Sequence, residues 1–219
     1  MTTLRQAEGP VVDADGRRIL PGWVRIAAPI AVGLAGLLVW ILVVDVLDAA
    51  PRALPSPFAV VEEFVARWNI IAPDMAITAT NALVGLIAGT LLAVLAAALA
   101  NAAKPIDGML APLVAALAVI PIVALTPILN TMFGASSQFG RQAVAAVAAF
   151  VPVFVTVLRG LRQTRPVHRD LLRASAASRT QTLRYLTLPT ALPYLMTGIR
   201  IAASLAVISA LVAEYFGGP

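Results

Sequence analysis

The chain has 219 residues, of which 60% are hydrophobic and only 12% are charged, and its formal net charge at pH 7 is +5. Soluble domains contain about 45–50% apolar and about 25% charged residues. The composition therefore excludes an ordinary water-soluble domain and indicates a membrane protein. Because the sequence has no cysteine and only one histidine, His168, we predict no disulfide and no metal site, and we expect no cofactor.

The apolar residues fall into five long stretches. The polar residues 1–23 come first and lack the apolar core of a signal peptide, so we expect them to be a cytoplasmic N-terminal tail. A helix that crosses a hydrocarbon core of about 30 Å needs about 20 apolar residues. Five stretches meet this length and are predicted transmembrane spans: 24–47, 76–102, 108–133, 142–161 and 193–216. Residues 48–75 are expected to form an external segment that contains an amphipathic helix.

The distribution of arginine predicts the orientation of these spans. Arginines precede the first span and cluster again between the fourth and fifth spans. Cytoplasmic loops of membrane proteins are enriched in Lys and Arg. The N-terminus and the segment after the fourth span are therefore predicted to be cytoplasmic, in a multi-pass helix bundle.

Two prolines interrupt the third span. Pro121 and Pro127 remove backbone hydrogen bonds that lipid cannot replace, which is tolerated where neighbouring helices or a cavity satisfy the freed groups. They predict a bent helix that either lies beside a substrate pathway or is a purely structural kink. Asn81 and Asn130, near one end of spans two and three, are further candidates to line a pathway. Capping or bridging of helices is their alternative role.

Residues 164–189 connect the fourth and fifth spans and have the pattern of two short helices. Pro166 suits the first turn of a helix, because the missing N–H of proline costs nothing there. We expect this helix to cover about residues 166–177. Ser178 stands three residues before Gln181, which is the capping-box pattern, so a second short helix is predicted to start at Ser178.

The second helix is expected to end where Pro189 and Pro193 break it and begin the fifth span. The corner between the two helices, residues 175–178, consists of small side chains that permit close approach by another surface. Amphipathic helices are commonly recognised by a partner's groove. With one aromatic residue, Tyr185, and short tethers to two spans, the segment does not favour nucleic-acid binding.

The same residues carry a family resemblance. The stretch "DLLRASAASRTQTLRYLTLPTALPY" and the following "TGIRIAASLAVISALVAEYFG" resemble the cytoplasmic EAA loop and next helix of permease subunits in binding-protein-dependent ABC importers. With "LPSPFAVVEEF" and "PIVALTPILN", they resemble most the nitrate/sulfonate/taurine-like class, and within it the permeases for thiamine pyrimidine precursors or riboflavin. The resemblance implies an all-α, polytopic helix bundle in the inner membrane of a prokaryote, with residues 76–219 as the permease core.

The resemblance also implies roles for residues of the connecting segment. It places a set of residues against an ATPase: Asp170, Leu171, Leu172, Arg173, Ala176, Ala177, Ser178 and Gln181. It implies that Pro189, Pro193 and Gly198 form a hinge to the fifth span. The implied partners are two copies of an ABC ATPase, an external substrate-binding protein, the lipid bilayer and a second permease copy, as a homodimer. Because the sequence has no phosphate-binding G-x-x-x-x-G-K-[ST] loop, we do not expect the chain to be an enzyme.

This chain departs from the family pattern at three places of the loop. Asp170 replaces Glu, Leu171 and Leu172 replace an Ala pair, and Ala176 replaces Gly. If the backbone at Ala176 has a positive φ, alanine costs about 1–2 kcal/mol there. Family members also continue with another span after A-E-[FY]-G, so we expect five spans of six and a C-terminally truncated sequence.

The predicted function is therefore import of a small solute, either a pyrimidine-type vitamin precursor or riboflavin, with nitrate, sulfonate or taurine as the alternative. A secondary transporter driven by an ion gradient is the competing class. It predicts carboxylates or broken-helix ion sites within the spans, and the central spans have no carboxylate. A membrane enzyme is a third class, and it predicts paired catalytic groups that the spans lack.

Overall fold

The computed structural model describes residues 22–46, 54–134 and 137–217, and every regular element in these ranges is helical. We number the helices in chain order: α1 Gly22–Ile41, α2 Pro57–Ala66, α3 Trp68–Ala102, α4 Lys104–Val119, α5 Ile122–Phe133, α6 Gln138–Arg162, α7 Pro166–Ala174, α8 Arg179–Thr182 and α9 Leu188–Gly217. Two π-helical turns complete the structure, Leu42–Val46 after α1 and Leu183–Thr187 between α8 and α9. The chain divides between Ile71 and Ala72 into two compact units.

The first unit contains α1 and α2. The helix from Trp23 to Val44 is long and apolar enough to span a membrane, and none of the residues in its most apolar stretch is buried. α2 begins with Ser56 as its N-cap, since the Ser56 Oγ accepts a hydrogen bond from the Ala59 N–H at 3.2 Å. Trp40 Nε1 donates to the Pro55 carbonyl oxygen at 3.2 Å, which holds the chain before α2 against α1.

The second unit is built around α6, which contacts both α3 and α9. Six of the seven buried positions of α3 recur at every third or fourth residue, and all but the first have small side chains: Asn81, Gly85, Gly89, Ala93, Ala97 and Ala100. Four buried alanines in the second half of α9 have the same spacing: Ala202, Ala206, Ala210 and Ala213. Larger residues of α6, including Val153 and Phe154, fill the space between these two faces.

Glycines set the separation of the three helices. A Cβ atom on Gly85 would lie 2.5 Å from the Ala145 Cβ, and one on Gly89 would collide with the backbone oxygen of Ala146. Gly198 on α9 approaches Thr156 on α6 equally closely. Small residues permit such close contact between helix backbones, which is a main source of helix association in lipid.

The third predicted span is bent. α4 and α5 meet at a break around Pro121, where the helix axis bends by 105°. The sequence-based prediction of a bend there is confirmed, and the second proline, Pro127, lies inside α5 without breaking it. An ion pair between Arg162 Nη2 and Asp107 Oδ1, at 2.8 Å, joins the first turn of α4 to the end of α6.

The predicted all-α membrane bundle is confirmed. Four helices in the described residues are long and apolar enough to cross a membrane, and the bent α4–α5 pair is a fifth crossing if it counts as one broken span. The helix that contains the second predicted span begins at Trp68, eight residues before the predicted start. The last residue of the first predicted span, Leu47, residues 48–53 of the predicted external segment, and the predicted tail up to Pro21 lie outside the described residues.

Candidate functional site

The first helix of the connecting segment, α7, ends in a Schellman turn. The Ala176 N–H donates to the Arg173 carbonyl and the Ala177 N–H donates to the Leu172 carbonyl, both at 2.9 Å, which is the paired pattern of this motif. The turn requires a left-handed residue after the helix, and Ala176 has φ = 52°, the one positive φ of a non-glycine residue in the described part of the chain. The helix therefore ends at Ala174, three residues earlier than predicted.

The capping box at the start of the second helix is confirmed. Ser178 Oγ accepts from the Gln181 N–H at 3.2 Å, and the Ser178 N–H donates to Gln181 Oε1 at 2.7 Å. These reciprocal bonds satisfy two backbone donors, the Ser178 N–H and the Gln181 N–H, and so fix the start of α8. The two helix ends are thus fixed by local hydrogen bonds within residues 171–181.

The predicted break at Pro189 and Pro193 is wrong. The helix that starts at Arg179 continues to the end of α9, and both prolines lie within it. The irregular feature is instead the π turn before them, where the Leu188 N–H donates to the Leu183 carbonyl five residues back. Such π turns compensate in membrane helices for backbone bonds that proline removes.

The residues predicted to contact an ATPase lie in α7, in the turn after it and at the start of α8. Leu172 and Ala177 are half-buried, and the others are exposed: Asp170, Leu171, Arg173, Ala176, Ser178 and Gln181. Leu171 keeps 64% of its surface accessible, and Val167 on the same helix keeps 72%. Asp170 and Arg173 form an exposed ion pair at 3.5 Å, and such pairs contribute little to stability.

The predicted hinge residues have different environments. Pro189 and Pro193 are exposed, whereas Gly198 is buried against Thr156 and Val153 of α6. The Gly198 position is therefore a tight helix–helix contact. The role of the three residues as a hinge stays a prediction.

A polar network that the sequence did not reveal lies at the end of the bundle opposite the connecting segment. Asn81 on α3 is 1% exposed, and its Nδ2 donates to Gln138 Oε1 at 2.7 Å and to Glu214 Oε1 at 2.9 Å. Gln142 Nε2 donates to Asn81 Oδ1 at 3.1 Å, and Thr78 Oγ1 donates to Glu214 Oε2. The network connects α3, α6 and α9. The contacts of Asn81 therefore agree with its alternative role, which is to bridge helices.

The other predicted pathway residues lie elsewhere. Pro121 is exposed at the bend, and Pro127 is exposed within α5. Asn130 is also in α5, and its side chain is outside the described part of the structure. A pathway role for these residues and for Asn81 stays a prediction.

The comparison with known proteins identifies this architecture. Residues 70–219 match the model of the family described as "Binding-protein-dependent transport system inner membrane component". The chain belongs to this family. The match begins in the first turn of α3 and continues through the bent pair, α6, the connecting segment and α9.

Three relatives illustrate the range of the family. The permease is 27% identical over 194 residues to "Probable ABC transporter permease protein" of Haemophilus influenzae, covering 89% of this chain and 79% of the relative. It is 31% identical over 168 residues to the formylaminopyrimidine transport permease protein ThiX of Halalkalibacterium halodurans, covering 76% of this chain and 67% of ThiX. It is 34% identical over 113 residues to the riboflavin transport system permease protein RibX of Chloroflexus aurantiacus, covering 52% of this chain and 42% of RibX.

Further relatives are named for transport of aliphatic sulfonates, taurine and bicarbonate. The substrates named for the relatives are therefore mixed. The family establishes a multi-pass membrane permease that works with an ATPase and a substrate-binding protein.

Proposed function

We propose that the permease imports a pyrimidine-type vitamin precursor, with riboflavin as the second candidate. The solute would be delivered by the external binding protein, and ATP hydrolysis would occur in the separate ATPase subunit. The similarity to ThiX supports this substrate, because it extends over 76% of the chain at 31% identity. Import of nitrate, a sulfonate or taurine by the same mechanism is the alternative, and the relatives named for sulfonates and taurine favour it.

The exposed helix pair α7–α8 is the observation that supports a role in coupling the ATPase to the permease. Its geometry is held by the Schellman turn at Ala176 and the capping box at Ser178, so it can transmit force without unfolding. The apolar side chain of Leu171 and the small corner residues supply a surface for a groove on the ATPase. Closure of two ATPase copies around ATP would then displace the helix pair.

Displacement of α8 would reach the membrane through α9. Because the helix is continuous from Arg179 through the π turn, movement at the helix pair is not absorbed by a flexible loop. The proposed hinge at Pro189, Pro193 and Gly198 would redirect this movement relative to α6. A conformational equilibrium that both ATP and substrate bias is the requirement for such coupling.

The assembly proposed around the permease contains two permease copies, as a homodimer, and two ATPase subunits, with the N-terminus in the cytoplasm. Native mass spectrometry of the purified complex measures this stoichiometry directly. A complex with one permease copy, or with two different permeases, would contradict it.

Charge placed in the corner of the helix pair tests the docking role. We expect Ala177→Glu to abolish co-purification of the ATPase, since Ala177 is half-buried next to the turn and an unpaired carboxylate would be desolvated in a packed interface. Gln163→Glu is the matched control, because Gln163 is exposed just before the segment and receives the same charge. Retention of the ATPase by the Ala177 variant would contradict the docking role.

The substrate is tested with the partner binding protein and reconstituted importer. Uptake of labelled formylaminopyrimidine, riboflavin and taurine into proteoliposomes should be highest for formylaminopyrimidine and should require ATP. Uptake of taurine alone would replace the proposed substrate with the sulfonate alternative while leaving the coupling mechanism intact.

A further inference from the structure

A cavity opens beside the polar network. It has a volume of about 310 Å³ and is lined by residues of α3 and α6: Ala76, Ile77, Thr80, Asn81, Gln138 and Gln142. α6 is 25 residues long, so this cavity lies about 35 Å from the connecting segment at the other end of the helix. It is therefore at the end of the bundle where, in the proposed orientation, a binding protein delivers its solute.

The network leaves a defined set of hydrogen-bonding groups for a ligand. Asn81 uses both N–H groups of its amide and its oxygen within the network, so it orients the two glutamines. Gln138 accepts through Oε1, which leaves its Nε2 as a donor, and Gln142 donates through Nε2, which leaves its Oε1 as an acceptor. Thr80 Oγ1 donates to the Ala76 carbonyl at 2.7 Å and keeps its lone pairs as acceptors.

A donor and an acceptor on residues four apart in a helix are neighbours on one face. Gln138 and Gln142 both line the cavity, so one free donor, Nε2, and one free acceptor, Oε1, are available on this face of α6. An aminopyrimidine presents the complementary pair, an exocyclic N–H donor beside a ring-nitrogen acceptor. Sites that hydrogen-bond a ligand in this way discriminate strongly against analogues that lack the group.

The charges around the cavity argue against an anionic ligand. None of the six lining side chains is charged. The Glu214 carboxylate lies directly behind Asn81 and would repel an anion. Arg141, between the two glutamines on α6, is buried and is not among the lining residues. A sulfonate would therefore lose its hydration without gaining contact with a cation in the lining.

The cavity is open to the surface, since four of its six lining residues are exposed: Ala76, Ile77, Thr80 and Gln138. Ligand pockets have volumes of about 300–1,000 Å³, so this one has room for a single-ring solute. We propose that the cavity is a binding site for a neutral, single-ring nitrogen heterocycle with an amino group, which it passes from the binding protein into the membrane pathway. This inference rests on the proposed function as an importer of a pyrimidine-type solute.

Filling the cavity tests the site in the complete importer with its ATPase and binding protein. Ala76→Phe places a ring in the cavity, whereas Ala79→Phe makes the same change at an exposed position of α3 that does not line it. Loss of the donor–acceptor contacts should reduce uptake of formylaminopyrimidine at least about tenfold in Ala76→Phe, and Ala79→Phe should stay within about twofold of the parent protein. Uptake is normalised to the amount of assembled complex.

Thiol labelling gives a second readout that does not depend on transport. The sequence has no cysteine, so Thr80→Cys and Ala79→Cys each introduce a single reactive group. Formylaminopyrimidine-loaded binding protein should slow maleimide labelling at position 80 and leave labelling at position 79 unchanged, and taurine should protect neither.

The outcomes separate the two proposals. If the parent importer takes up formylaminopyrimidine but the two phenylalanine variants transport equally, or position 80 is not protected, the site is overturned and the proposed function stands. If the parent importer takes up no pyrimidine, both the substrate and the site are overturned. Protection of position 80 by taurine would overturn the assignment of a nitrogen heterocycle even with transport intact.

Discussion

Replacement of Ala176 by glycine should stabilise the turn of the helix pair. Ala176 has φ = 52°, and a left-handed conformation costs an L-residue with a Cβ about 1–2 kcal/mol. Glycine removes this cost, but its greater freedom in the opened loop offsets about 0.4–1 kcal/mol. The net gain for the closed turn is therefore about 1 kcal/mol.

Hydrogen exchange of the turn amides measures this gain. The Ala176 and Ala177 N–H groups are bonded to carbonyls of α7, so they exchange only when the turn opens. A gain of about 1 kcal/mol should slow their exchange about fivefold after correction for intrinsic rates. Ala177→Gly is the control, because position 177 has no positive φ and glycine there should speed exchange. Equal or faster exchange in Ala176→Gly would refute the argument from backbone strain.

Three further substitutions test the packing and the caps. Gly89→Ala should destabilise the permease by about 1–3 kcal/mol in thermal unfolding, since the new Cβ collides with backbone of α6, whereas Gly108→Ala, with open space around it, should not lower the melting temperature. Asn81→Leu leaves Glu214 and its neighbours without their amide partner and should cost about 1–3 kcal/mol in the same assay; an unchanged melting temperature would contradict the network. Ser178→Ala removes the capping box and should cost about 1 kcal/mol, seen as faster tryptic cleavage in the connecting segment, and unchanged cleavage would count against the cap.

The sequence predicted features that depend on local chemistry. Spans could be recognised because each needs a long apolar run, and the capping box at Ser178 because its two partners are three residues apart. The departure from glycine at Ala176 also pointed to a special backbone conformation, and the structure has a positive φ there. These features depend on neighbours in the chain.

Features that depend on tertiary context were missed. The partners of Asn81 are 57, 61 and 133 residues away in the chain, so no local pattern could reveal the network. The helix also continues through Pro189 and Pro193, because the π turn before them rearranges the backbone bonds that a regular helix would lose. Proline signals a break only when nothing nearby compensates for it.

The continuous helix from Arg179 to Phe216 has a mechanical consequence. It spans 38 residues, or about 57 Å, and Gly198 presses against Thr156 near its middle. If that contact acts as a fulcrum, the arms measure about 28 Å to Arg179 and about 24 Å to Glu214. A push of about 5 Å at the helix pair would then swing Glu214 about 4 Å in the opposite direction. This rotation of α9 would separate the Glu214 carboxylate from Asn81. One end of the bundle would then open as the other end closes.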